Sequence, residues 1–260
     1  GMSMPMDLWL PSSSIIKPTK GEQYTTGIFK NFKNNSIETS IELYYKEMEN
    51  LIEYKEGSFP EDNANASQDE LLTFGDGQSY GAEFFVKRSV GNTTGWIGYT
   101  YSYTYRTFPD VNNGDPYPAK YDRRHDFSAV ATHKLNDKWS LSSVFVYATG
   151  SAITIPIERY VIDGNIFTEF TTKNGYRMDS YHRLDIAATY TRKPNRRFKS
   201  SWNFSIYNVY NRHNPYFIFL DIEDTTNDGS GTLESGGLTP TATQVSLFPI
   251  IPSISWNFTF

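Results

Sequence analysis

The chain has no cysteine, which excludes disulfides, thiolate nucleophiles and cysteine-held metals but leaves the compartment open. No apolar run approaches the roughly 18 residues that a membrane-spanning helix needs. That excludes helical membrane proteins and says nothing of a β-barrel, whose strands each carry a weak signal. The start lacks a basic segment followed by an apolar one, so no signal peptide is visible, and Gly1 before Met2 looks like a cloning remnant. The net charge of −5 lacks the basic excess that nucleic acid selects, so no nucleic-acid partner is expected.

Catalytic signatures are also missing. His125, His133, His182 and His213 are scattered, with no pair at metal-ligand spacing. No Ser/His/Asp arrangement, phosphate loop or dinucleotide fingerprint appears. The run Asp224-Thr225-Thr226-Asn227-Asp228-Gly229 opens like a calcium loop, but its twelfth position is Ser235 where that motif needs a bidentate Glu. A plain acidic loop is the expectation. The chain is therefore expected to be no enzyme and to hold no cofactor and no metal.

What the chain has is aromatic residues: 19 Tyr, 18 Phe and 5 Trp. A soluble core explains the Phe; so many Tyr suit a surface apolar on one side and wet on the other, as at a membrane interface. The strand Trp96–Arg106 shows the pattern. Ile97, Tyr99, Tyr101, Tyr103 and Tyr105 share one face, and Gly98, Thr100, Ser102 and Thr104 share the other. About nine such segments follow one another, and the links alternate short and long. The hairpins span about 23–51, 78–108, 124–149 and 181–211, and a last strand runs from about Gln244 to Phe260. A phase slip at Tyr207-Asn208 reads as a β-bulge.

Strands of about 11 residues tilted about 45° rise near 25 Å, the height of a lipid-facing band. With the short turns at one end and the long links at the other, the fold class expected is all-β, an antiparallel up-and-down meander forming part of a transmembrane β-barrel. Residues 1–22, with Pro5, Pro11 and Pro18, read as an irregular lead-in, and 23–260 as the barrel segment. Two other readings stay open. One is a soluble or surface-attached β-domain that binds glycans, because a sandwich also alternates. The other is a small complete barrel with a tenth strand hidden in 1–22, which the prolines disfavour. The run Asp122-Arg123-Arg124-His125-Asp126 reads either as a rim ion-pair network tying a loop to a strand end, the favoured option, or as an anion site.

Four stretches resemble the C-terminal part of a TonB-dependent outer-membrane receptor of the type common in Bacteroidetes. Ser79-Tyr80-Gly81-Ala82-Glu83 resembles a recurrent strand opening. Pro118 to Asp126, and Asn174 to Met178 with Tyr181 to Asp185, resemble entries from external loops into strands. Phe248-Pro249-Ile250-Ile251-Pro252-Ser253 to Phe260 resembles a closing strand. The resemblance implies an outer-membrane location and a barrel of about 22 strands around a plug, of which this chain is roughly the last two-fifths. It implies import of a scarce nutrient, with the TonB complex, the plug, the barrel-assembly machinery and membrane lipid as partners. The assembly signal would be Trp256, Phe258 and Phe260. The charges expected to line the interior are Glu83, Lys87, Arg106 and Asp185, by their phase opposite the aromatic face. Arg123, Arg124, His125 and Asp126 would stand at the rim.

Overall fold

The computed structural model describes residues 11–55, 70–162, 165–170, 172–195, 198–224 and 238–259. Among these described residues sixteen strands follow in chain order. They are β1 (Lys20–Phe32), β2 (Ile37–Tyr54), β3 (Leu72–Arg88), β4 (Thr93–Thr107), β5 (Tyr117–Pro118), β6 (His125–Lys134), β7 (Trp139–Ala148), β8 (Ala152–Ile153), β9 (Pro156–Ile162), β10 (Asn165–Phe170), β11 (Tyr176–Arg177), β12 (Tyr181–Asn195), β13 (Phe198–Tyr207), β14 (Pro215–Asp224), β15 (Leu238–Ser246) and β16 (Ile251–Thr259). Nine of them form one antiparallel sheet in the order β1-β2-β3-β4-β6-β7-β12-β13-β16, with β5 paired to the outer end of β4. Among the described residues the short connections at 33–36, 89–92 and 135–138 all lie at one end of that meander.

The register makes one face continuous. Tyr24, Tyr45, Tyr80 and Tyr103 stand in one cross-strand row on β1 to β4. Near the opposite end Trp139, Tyr190, Trp202 and Trp256 form a second row on β7, β12, β13 and β16. Between the rows lie Ile41, Leu43, Phe84, Leu184, Phe204 and Ile254. Ile28 is 74% exposed and Ile254 67% exposed. A soluble sandwich would bury these side chains between two sheets; here they form a broad apolar surface of the kind that only a membrane or a partner covers. Aromatic rows toward the two ends of an apolar band are the arrangement that membrane barrels carry at their interfaces. Buried apolar residues gather elsewhere, at the loop end, where Phe108, Val111 and Tyr117 pack with Leu51.

Several boundaries differ from the sequence expectation. The last sheet strand is β16, starting at Ile251 and not at Gln244. Phe248 adopts a positive φ of 55°, and Pro249 follows it, so the chain turns there; Gln244 belongs to β15 instead. The long links are not structureless: β9 pairs β10, β14 pairs β15, and β8 pairs β11. At Tyr207-Asn208 the strand ends, with Asn208 at φ 53°. The bulge the sequence hid lies on β2, where Glu49 and Asn50 together oppose Asp76, between the pairs Met48↔Gly77 and Leu51↔Gly75. Asn50 takes up the left-handed conformation, φ 56°. The inserted residue brings Leu51 and Glu53 onto the face that carries Met48. The first sheet strand begins at Lys20, and the residues 11–19 before it contain no strand.

Candidate functional site

The face opposite the aromatic one carries small, polar and charged residues, placed there by the two-residue period of the same strands. Glu83, Lys87, Arg106 and Asp185 all point to it, as does Glu42, directly across from Glu83. Three of the four charges are engaged. Lys87 pairs with Glu38 at 3.2 Å. Arg106 lies 4.0 Å from Glu53, which also holds Lys173 at 3.3 Å. Asp185 accepts from Arg183 at 3.0 Å, and from the backbone N–H of Asn208 at 2.9 Å. Arg183 in turn stacks on Tyr207, 4.1 Å from its ring centre, and donates to the Tyr181 hydroxyl. Like charges directly opposite on neighbouring strands are destabilising, so the pair Glu42–Glu83 is a cost the fold carries.

The loop end holds a second cluster. The Asp122 side chain is fully buried. Its carboxylate accepts from Arg177 at 2.6 Å, from Arg124 at 3.2 Å and from the backbone N–H of Thr104 at 2.7 Å. The Arg124 guanidinium lies 3.8 Å from the ring centre of Tyr103 and donates to the Tyr105 hydroxyl. A second nitrogen of Arg177 donates to the carbonyl oxygens of Asp122 and Gly150. Gly150 is required here, because a Cβ would stand 1.9 Å from the Met178 carbonyl oxygen. Asn174 donates to the carbonyl of Pro118, and the Lys173 N–H donates to the Asn112 side chain. The described residues 109–124, 149–162 and 172–180 thus hold ties, through Asn112, Pro118, Asp122, Gly150, Lys173, Asn174 and Arg177, to each other and to β4.

The remaining rim residues named from the sequence take less central places. Arg123 approaches Asp126 at 3.8 Å on the surface. His125 opens β6 on the aromatic face, packed against Tyr99 and Tyr101 and hydrogen-bonded to the Tyr99 hydroxyl. Trp256 and Phe258 stand on the aromatic face of β16; Phe260 and the calcium-like run from Thr225 onward lie outside the described residues. Among the described residues no group of His, Asp or Glu is arranged to hold a metal.

Sequence reasoning missed three elements of this end. Arg177 belongs to Asp122, 55 residues earlier. Asn214 replaces a strand residue beside β12, its amide bonded to both the N–H and the C=O of His182. Tyr117 is buried, and its hydroxyl has no hydrogen-bond partner among the described residues. Burial, with the Glu53 carboxylate nearby, pushes that phenol far above its usual range.

A family model described as TonB dependent receptor-like, beta-barrel matches residues 9–211. No curated protein matches the chain in sequence. Solved structures with the same fold include the ferripyoverdine receptor of the outer membrane of Pseudomonas aeruginosa bound to ferripyoverdine. It is 17% identical with a TM-score of 0.54, over 82% of this chain and 26% of its own. The ferric-catecholate import receptor Fiu of E. coli K12, in its closed form, is 13% identical with a TM-score of 0.53, over 97% of this chain and 30% of its own. A complex of FpvAI with pyocin S2 gives 16% identity and a TM-score of 0.51, over 82% of this chain and 27% of its own. At these identities the likeness is one of fold, and the chain spans less than a third of each neighbour.

Proposed function

The chain belongs to the TonB-dependent receptor β-barrel family and is an outer-membrane barrel domain, and from that premise we propose that it forms wall and external loops of a receptor importing a scarce nutrient. The observation that carries this reading is the pair of faces. One continuous aromatic face suits hydrocarbon, and the opposite face, with charges of both signs, suits a wet passage. Glu83, Lys87, Arg106 and Asp185 line that passage. The tied residues 109–124 and 172–180 present the external surface on which a ligand first lands.

Iron chelates are the first ligand class to test, because the solved structures of this fold include receptors for ferripyoverdine and ferric catecholates. Transport is powered through a plug and the TonB complex by family analogy, and the barrel-assembly machinery reads the closing strand at Trp256, Phe258 and Phe260. The strand opening Ser79-Tyr80-Gly81-Ala82-Glu83 supports the family, and the Bacteroidetes type is proposed from the joint resemblance of the four stretches. The test is charge reversal at Glu83, Lys87 and Arg106 in the complete receptor, assayed by ligand uptake alongside heat-modifiable migration as a measure of folding. Reduced uptake with a folded barrel is expected; unchanged uptake with a damaged barrel would place these charges in the fold and not in the passage.

A further inference from the structure

The aromatic face is not evenly charged along its height. Toward the loop end it carries Glu22, Glu47, Glu49 and Asp76. Toward the turn end it carries Lys30, Arg88 and Arg192, and no Asp or Glu stands among the described strand residues of that face there. Cationic side chains just outside a hydrocarbon band attract anionic headgroups, each contributing on the order of fivefold in affinity.

One of those cations lies on the strand that borders a groove. Arg192 is exposed and lies two residues beyond Tyr190 on the same face. Trp139, Tyr190, Trp202, Phe204 and Ile254 line a shallow, open hollow of about 450 Å³. Phe204 and Ile254 also wall a groove of about 610 Å³ whose floor is Ala131, Ser143 and Ala188. The floor is low because small residues on β6, β7 and β12 sit beside Leu141, Ile186 and Phe204. The groove runs from the indole and phenol row into the middle of the apolar band.

We propose that this groove seats one phospholipid of the leaflet at the turn end. Its phosphate rests against Arg192, the donors of Tyr190 and Trp139 face its ester region, and one acyl chain follows the groove past Ala188. The inference rests on the membrane-barrel reading above. The small residues alone would fit a second barrel or a helix equally; Arg192, beyond Tyr190 on the same face, with Lys138 beside Trp139 in the adjoining turn, favours an anionic amphiphile.

The test uses the complete receptor purified from outer membranes, with retained phospholipid counted by native mass spectrometry after detergent exchange. The wild type is expected to keep one phospholipid. Arg192→Glu is expected to lower the retained fraction by about fivefold or more, and Ala188→Leu to lower it through the floor of the groove. Equal retention in all three proteins overturns the proposal, as does a retained mass that proves to be a second copy or another protein. Should Ala188→Leu fail to fold, Arg192→Glu decides alone: added phosphatidylglycerol should raise the unfolding temperature of the wild type and leave this variant unmoved. A wild type that is monodisperse without detergent would instead sink the membrane reading itself.

Discussion

Arg177 reaches across 55 residues to place a guanidinium nitrogen 2.6 Å from the fully buried carboxylate of Asp122. Asp122→Ala would leave two arginines and the Thr104 N–H without their acceptor. The arginine side chains keep 27% and 20% of their exposure, so water offsets part of the loss, and the cost should be about 2–3 kcal/mol. Hydrogen exchange should rise together in 117–124 and 172–178, with the meander below unchanged. Protection that stays the same in both segments would show that the clasp holds nothing.

The two faces of β2 predict opposite responses to the same residue. Ile41→Arg puts a charge in the middle of the aromatic face and should cost about 2–4 kcal/mol of folding free energy in lipid. Ser40→Arg, one residue away on the other face, should cost little. Equal costs for the two would contradict the assignment of the faces.

Glu83 stands opposite Glu42, so Glu83→Gln should stabilise the barrel by about 0.2–1 kcal/mol. Thermal unfolding of the complete receptor measures this. Lower uptake in the same variant would show that the charge is kept for passage at the expense of stability.

Tyr117→Phe removes a buried hydroxyl without a partner and should be neutral or stabilising by up to about 1 kcal/mol, whereas Tyr117→Ala should cost about 3–5 kcal/mol. The phenol is raised by burial first and by Glu53 second, so the unfolded chain gives up this proton at lower pH than the folded one. Its contribution to stability is complete below the ordinary phenol range and drains away as pH climbs above it. In Tyr117→Phe that part of the alkaline slope should vanish.

The sheet was legible in the sequence because every long strand repeats the same two-residue alternation. Trp96–Arg106, with tyrosine at successive odd positions, fixes the phase, and the short turns fix which ends meet. The rim was legible only in part. The run Asp122–Asp126 announces charge, but nothing local couples it to Arg177 or tells that Asp122 is the buried member. The paired segments within the long links escaped because their strands are short or lie among polar loop residues, as in Ala152–Ile153 with Tyr176–Arg177. The β2 bulge escaped because Glu49-Asn50 breaks the alternation by a single residue inside a strand that otherwise continues.

That one extra residue works as a switchyard. Below it, odd-numbered side chains of β2 travel to the oily side; above it, they travel to the watery side, which is why Glu53 arrives beside Arg106 and Lys173. Deleting Asn50 alone would reroute everything from Leu51 to Tyr54. Two distant cations would lose their shared carboxylate, and an acidic group would be stranded on the outward wall, without Glu53, Arg106 or Lys173 themselves having been altered.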